Sequence, residues 1–245
     1  MPELKKSIGW KYIQDTKFDR QKLHKIRRLN IKPVALYKIY KDVQFIKFSN
    51  IIEIKNNLST TIKNRKSHRD YKKESVTFEE LGTILWHSYG IRENVTDFPF
   101  RNVPSAGALY PIEIYVYANN IKELKKGVYH FNIMDNGLEC LTFGEFGDYL
   151  VNACLGQRFV TQAAAVIFFT AFFRRNMSKY GDRGVRYIFL DAGHIAQNMI
   201  LCCEALGIGA CSVGAFFDDE INRLLGIDGE EESIIYLLSI GKKKM

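Results

Sequence analysis

The sequence predicts an α+β domain in which helices pack on a central sheet. Three observations carry this expectation. Residues 164–172 (AAVIFFTAF) are apolar almost throughout, as a central strand covered on both faces requires. Asp135-Asn136-Gly137 stands between two β-rich runs, 128–133 and 138–143, a strong hairpin signal. Two stretches, 78–90 and 185–206, repeat apolar residues at helical spacing and stop at glycine.

The elements follow in order. Residues 35–40 and 43–48 are short β-rich runs expected to pair with each other. Residues 51–64 are expected as a helix leading into a basic turn at 64–71. Asn, Ser and Thr cluster at 56–60, which marks a boundary. It divides a Lys-rich N-terminal extension, 1–57, from the main domain, 58–245. Thr77 is an N-cap, with Glu80 three residues on to close a capping box. The helix that follows places Leu81, Ile84 and Leu85 on one face and ends at Gly90. Residues 112–118 alternate β-branched and aromatic side chains and read as a strand. Residues 146–157 read as a helix. In 185–206, Val185, Ile188, Ala192, Ile195, Met199 and Cys203 make an apolar stripe that faces a core. Residues 211–215 form a short strand, Asp218 caps a helix through Leu225, and 233–241 is the final strand.

With 245 residues, 47% of them hydrophobic and 25% charged, the chain can bury a substantial core, which excludes global disorder and a disulfide miniprotein. Five cysteines form no CxxC pair, so reduced thiols are expected, with no metal or iron–sulfur site. The N-terminus lacks the apolar segment of a secretory signal. The stretch 163–173 is too short to span a bilayer, and 185–208 carries Arg186, Asp191, His194 and Glu204. A cytoplasmic protein without a membrane segment is expected. The net charge of +8 is uneven: residues 1–73 balance to +14 and the remainder to −6. Such a basic third suits nucleic acid, an acidic peptide or a phosphate, and equally a plain solvated surface.

Five segments have the residue types for chemistry. In 64–71 (NRKSHRDY), Arg65, Ser67 and Arg69 alternate, so an extended backbone puts two guanidinium forks and a hydroxyl on one side, where a phosphate would be held. Basic turns of this length are also common as solvated loops. In 104–111 (PSAGALYP), small residues between prolines allow backbone to approach a flat ligand, or simply make a tight connection. In 178–186 (SKYGDRGVR), Lys179 and Tyr180 are adjacent proton donors in what reads as a glycine-bounded loop. Asp191, His194 and Asn198 form a polar stripe on the long helix, as a hydrogen-bonded face or a dimer contact. In 209–218 (GACSVGAFFD), backbone amides at Gly214 and Ala215 can point at a ligand, or merely connect strand to helix. A basic tail, 241–245 (GKKKM), follows the last strand.

Together these segments resemble the nitroreductase-like FMN flavoproteins, and within them the SagB-type azoline dehydrogenase branch. The closer likeness rests on 101–115 (RNVPSAGALYPIEIY), 127–131 (GVYHF), 179–187 (KYGDRGVRY), 191–198 (DAGHIAQN) and 209–219 (GACSVGAFFDD). The resemblance implies a mixed, mainly antiparallel sheet flanked by helices, in a homodimer with FMN at its interface. It implies that Arg65, Lys66, Ser67 and Arg69 hold the phosphate and ribityl chain, completed by Lys242 or Lys244 or their neighbour Lys243. Pro104, Ser105, Ala106, Gly107 and Leu109 would approach the flavin ring from the other subunit, and Gly214 and Ala215 would present N–H groups near N5 and O4. Lys179 and Tyr180 would be the catalytic proton-transfer pair. The implied reaction takes a hydride from a peptide thiazoline or oxazoline to FMN N5 and yields an azole, with cyclodehydratase proteins as possible partners. Two other readings stand beside it: an NAD(P)H-dependent nitro or quinone reductase working by a ping-pong scheme, and, remotely, a non-enzymatic nucleic-acid-binding protein.

Overall fold

The computed structural model describes residues 2–21, 32, 34–92 and 99–244, so part of the expected N-terminal extension lies outside the described residues. The elements are α1 (Pro2–Lys6), α2 (Ile8–Asp15), β1 (Phe45–Lys47), α3 (Leu58–Asn64), β2 (Val76–Thr77), α4 (Phe78–Tyr89), β3 (Ile112–Ala118), β4 (Ile121–Lys122), β5 (Gly127–Asn132), β6 (Gly137–Phe143), α5 (Gly147–Ala153), α6 (Phe159–Gln162), β7 (Ala165–Phe172), α7 (Phe173–Tyr180), α8 (Gly184–Ala205), β8 (Ile208–Val213), α9 (Asp218–Leu225) and β9 (Glu232–Lys242).

Seven strands form one sheet in the order β1-β6-β5-β3-β7-β9-β8, and every pairing in it is antiparallel. A separate two-residue ladder, β2 with β4, is parallel. The fully buried β3 and the nearly fully buried β7 lie at its centre, because their side chains are apolar on both sides. Alternation along these strands feeds two cores. Ile112, Ile114, Val116, Ile167 and Phe169 pack with Leu81, Ile84 and Leu85 of α4 and Ile188, Ile195 and Met199 of α8. Tyr115, Tyr117, Val166 and Phe168 pack on the opposite face with Leu150 of α5, Val160 of α6 and Ile221 and Leu225 of α9. The expected α+β class, with helices flanking a mainly antiparallel sheet, is the observed one.

Part of the second face is covered by residues 34–40 rather than by a helix, and the contact is polar. Lys38 Nζ donates to Glu232 at 2.5 Å and to Tyr115 Oη at 2.7 Å. Tyr115 Oη donates to Glu232 Oε1 at 2.9 Å, and Thr170 Oγ1 to the same oxygen at 2.6 Å. Beside them His130 lies between Glu139 (2.8 Å) and Glu113 (3.2 Å). Arg175 donates to the Ala35 carbonyl, and Arg101 to that of Leu36. Buried polar groups persist only when paired, and here the chain ahead of residue 58 supplies some of the partners.

Several boundaries differ from expectation, each for a local reason. Residues 35–40 do not pair with 43–48; instead Phe45–Lys47 pairs with β6, because the first run is spent on the polar contacts above. The helix expected over 51–64 begins only at Leu58, where Asn57 caps it by accepting from the Thr60 N–H. Ile52 N–H donates instead to Thr83 Oγ1, which holds that stretch against α4. The helix expected over 146–157 stops at Ala153, since Leu155 and Gly156 have φ of 55° and 78°. Asp218 is the first residue of α9 rather than its cap, and with Asp219 and Glu220 it complements the helix dipole. The strand expected over 211–215 runs from Ile208 to Val213. The capping box of α4 forms as expected: Glu80 N–H donates to Thr77 Oγ1 (3.1 Å) and Thr77 N–H to Glu80 Oε2 (2.9 Å).

Candidate active site

The sequence-predicted site residues fall into two groups. The first lies along β8 and the end of β9. The basic turn 65–71 crosses this edge: His68 N–H donates to the Ala210 carbonyl at 2.9 Å, Ser67 bridges to Ala210, and Tyr71 bridges to Lys243. Glycine permits the close approach. A Cβ on Gly209 would come within 2.8 Å of His68 Cβ, and one on Gly241 within 2.8 Å of the Tyr71 ring. Tyr71 Oη locks the turn by bonding the His68 carbonyl (2.8 Å) and Ser239 Oγ (2.8 Å). Burial, together with Lys243 and Lys66, presses the His68 pKa down, so its ring is neutral at pH 7.

Arg65, Lys66 and Ser67 have no side-chain hydrogen bond or ion pair among the described residues, and Arg69 lies over the Phe159 ring at 5.9 Å. The C-terminal lysines differ. Lys242 is paired with Glu80 at 2.6 Å, Lys243 with Glu204 at 2.7 Å, and Lys244 with Asp70 at 3.4 Å. Just beyond the end of β8, Gly214 and Ala215 are exposed, and neither N–H donates to a described residue. Gln157 Nε2 holds this connection through the Ala215 carbonyl at 3.0 Å. Two guanidinium groups and a hydroxyl without carboxylate partners, beside two undonated amides, suit an elongated ligand with an anionic end.

The second group joins the loop 104–110, α7 and α8. Lys179 and Tyr180 are not in a loop: they end α7, which stops at Gly181 with φ of 56°. Sequence reasoning missed this helix because FRRNMSKY has few apolar residues to show a period. A Cβ on Gly107 would lie 2.5 Å from Tyr180 Oη and 2.8 Å from Lys179 Nζ, so the loop touches the pair. The loop is held in an unusual shape: Gly107, Ala108 and Tyr110 have φ of 66°, 54° and 45°. Ser105 anchors it, donating from Oγ to Asp191 Oδ2 (2.5 Å) and accepting from the Tyr110 N–H (2.9 Å). Burial pushes the Asp191 carboxyl up to about 6, against the opposing pull of Ser105, Ala106 and His194. Asp191 therefore leaves the polar stripe expected with His194 and Asn198: it is buried, whereas His194 is exposed. Tyr180 packs edge-on against Tyr187, which accepts from Arg183 Nε at 2.8 Å. Arg183 and Arg186 in turn donate to the C-terminal end of α2, at the Thr16 and Ile13 carbonyls. The roles of Tyr71 and Asp191 depend on the distant partners Ser239 and Ser105, and no spacing in the sequence signals them.

Of this loop, Pro104, Ser105, Ala108 and Tyr110 border a cavity of about 590 Å³ that Arg92, Phe100 and Asn102 also line, while Ala106 and Leu109 do not border it. That volume is ligand-sized. No hydrogen bond or ion pair among the described residues joins the first group to the loop 104–110 or to α7. Both groups attach to α8, one at Asp191 and the other through Glu204, which are about 20 Å apart along the helix axis at 1.5 Å per residue. Just ahead of Asp191, α8 exposes Phe189 (55%) and Leu190 (57%), and between the two attachments a Cβ on Gly193 would meet nothing within 4 Å. Among the described residues no group of side chains could hold a metal ion, and no helix is long and apolar enough to cross a membrane.

The nitroreductase family model matches residues 62–242. The chain is 37% identical over 202 residues to a nitroreductase-designated protein of Methanocaldococcus jannaschii, covering 82% of this chain and 98% of that one. It is 27% identical to the trifolitoxin-processing protein TfxB of Rhizobium leguminosarum bv. trifolii, over 54% of this chain and 37% of that protein. It is 28% identical to the microcin B17-processing protein McbC of Escherichia coli, over 52% and 49%. Among solved structures, a nitroreductase-designated protein of Anabaena variabilis superposes with a TM-score of 0.75 at 32% identity, over 88% of this chain and 45% of that one.

Proposed function

The chain belongs to the nitroreductase family of oxidoreductases, and from that premise we propose that it is an FMN-dependent dehydrogenase of the SagB type, which oxidises a thiazoline or oxazoline in a modified peptide to the azole. The observation that carries this reading is the seating of Gly107 against Lys179 Nζ and Tyr180 Oη. Lys179 and Tyr180 lie against a small-residue loop whose Pro104, Ser105, Ala108 and Tyr110 border a cavity of ligand size, and a proton-transfer role for the pair fits that position. Similarity to two toxin-processing proteins supports a peptide substrate.

The residues divide the work. Arg65, Ser67 and Arg69 take the phosphate of FMN, with Lys66 and the lysines Lys242 and Lys244 setting the positive field around it. Gly214 and Ala215 donate backbone N–H groups to the ring, and Pro104–Leu109 covers its other face. When bound, FMN accepts the two electrons that aromatisation releases and passes them to oxygen or another acceptor. Lys179 or Tyr180 removes the proton that leaves the azoline ring. The two groups attach to α8 at points about 20 Å apart, and the same helix exposes the apolar Phe189 and Leu190 just ahead of the first of them. Both facts favour a homodimer in which each site draws one group from each copy. A cyclodehydratase is the natural partner, since the azoline ring must first be closed by loss of water.

The M. jannaschii relative favours a second reading, an NAD(P)H-dependent nitro or quinone reductase. An absorption spectrum of the purified protein, with the heat-released chromophore identified, tests the cofactor: FMN is expected, and a protein that neither carries nor takes up FMN refutes both readings. Lys179→Ala then separates them. It is expected to keep flavin and lose peptide-azoline oxidation, whereas steady NAD(P)H oxidation with nitroaromatics that survives Lys179→Ala establishes the second.

A further inference from the structure

We infer that Asp191 is a positioning residue: its buried carboxylate holds Ser105 and Ala106, and so keeps Gly107 seated against Lys179 and Tyr180. The relevance to catalysis rests on the reading of this loop as the flavin-facing one; the clamp itself does not.

The loop is under local strain. Ala108 and Tyr110 have side chains, yet both sit in the left-handed region, with φ of 54° and 45°. There a side chain crowds the following carbonyl oxygen, so the conformation persists only where surrounding contacts enforce it. Within the loop, Ala108 N–H donates to the Ser105 carbonyl at 3.0 Å and Tyr110 N–H to Ser105 Oγ at 2.9 Å. Both bonds converge on Ser105, and Ser105 is tied outside the loop by one strong contact, its 2.5 Å bond to Asp191 Oδ2. An ionised acceptor makes that bond the strong kind. The Ala106 N–H adds a second donor that favours the carboxylate.

Asp191 is only 5% exposed and sits on the 22-residue α8, whose Ile188, Ala192 and Ile195 are packed in the core. The anchor is therefore part of the packed core, and the loop is fixed through it, which is the arrangement a positioning residue requires. On the far side of the loop a Cβ at Gly107 would lie 2.5 Å from Tyr180 Oη and 2.8 Å from Lys179 Nζ. Among the described residues no hydrogen bond or ion pair links Asp191 to either side chain, so it acts on them through the loop.

A double-mutant cycle of Asp191→Asn and Ser105→Ala tests this. The readouts are the Kd for FMN and the amide hydrogen exchange of Ala106–Tyr110 in protein stripped of flavin. Each single variant is expected to lose protection at Tyr110 and to bind FMN about ten- to hundredfold more weakly, the worth of a charged hydrogen bond. The double variant is expected to be no worse than either single one, since both break the same contact. Asp191→Glu, which keeps the charge but moves the carboxylate, carries the test with the same expected loss at Tyr110 if Asp191→Asn does not fold, because Ser105→Ala by itself also removes the acceptor of the Tyr110 N–H. Unchanged Tyr110 protection, or fully additive losses in Kd, would overturn the clamp. If the wild-type protein binds no FMN, the functional reading fails, while hydrogen exchange still decides the clamp.

Discussion

Arg175 Nη2 lies 2.6 Å from Glu113 Oε1, and neither side chain is more than 2% exposed. The two atoms meet as charges, without the alignment of a hydrogen bond. Arg175 also donates to the carbonyls of Tyr110 and Ala35. One guanidinium thus ties the central strand to the end of the candidate loop and to the N-terminal segment. Removing it leaves Glu113 with His130 as its remaining close partner. Arg175→Met is expected to lower unfolding stability by about 3–5 kcal/mol, read as a shift of the urea midpoint.

Acid stability should report on the same pair. Burial alone would raise the Glu113 pKa, but Arg175, His130 and Arg101 together hold it down at about 2. A carboxyl held below its unfolded value, about 4.3, stabilises the fold above that value. Its contribution disappears as pH falls from about 4.3 towards about 2. Glu113→Gln should flatten that acid limb in a plot of Tm against pH.

His130 works in the opposite direction. Its burial opposes protonation, but hydrogen bonds to Glu113 and Glu139 outweigh that and raise its pKa. Its contribution is full below the unfolded value of about 6.5 and is lost as pH rises through the folded one. His130→Asn should therefore lower Tm most at pH 6 and progressively less at alkaline pH, and a ring-proton NMR titration of the wild type should show the raised midpoint.

Gly107→Ala places a Cβ where Tyr180 Oη and Lys179 Nζ now lie, at a φ of 66°. The backbone term costs about 1–2 kcal/mol, and the displaced atoms are flexible tips. The fold should survive with a Tm a few degrees lower. Turnover should fall far more, towards about a hundredfold, because a displacement of about 1 Å in a reacting group is enough.

Arg65→Ala with Arg69→Ala should release flavin. Charged hydrogen bonds contribute about 1.5–3 kcal/mol each, so FMN should be largely lost on gel filtration at low protein concentration. Full flavin occupancy in the double variant would move the phosphate site elsewhere.

What was legible in the sequence tracks how local the signal is. The capping box of Thr77 and Glu80, the turn at Asp135–Gly137, the apolar run of β7 and the long stripe of α8 each depend on neighbours within a few residues, and all four formed. Boundaries that failed had a distant cause. Residues 35–40 carry a strand-like pattern, yet Lys38 and Tyr40 are drawn to Glu232, Tyr115 and Glu139, between 75 and 194 residues away. The helix α7 lacked an apolar period because one residue it buries is Arg175, drawn in by Glu113 and by the Tyr110 and Ala35 carbonyls.

The candidate site divides in the same way. By itself the sequence determined the class of fold, the family pattern and the residue types able to hold a phosphate or move a proton, because these follow from composition, spacing and short motifs. Only the tertiary structure decided which of them meet. Gly107 touches Lys179 and Tyr180 across more than seventy positions of chain, Asp191 reaches back to Ser105, and all three C-terminal lysines are paired with carboxylates. Such contacts are fixed by how α7 and α8 pack against a sheet whose strands are out of sequence order, and a pairwise meeting of that kind leaves no periodic trace in either partner.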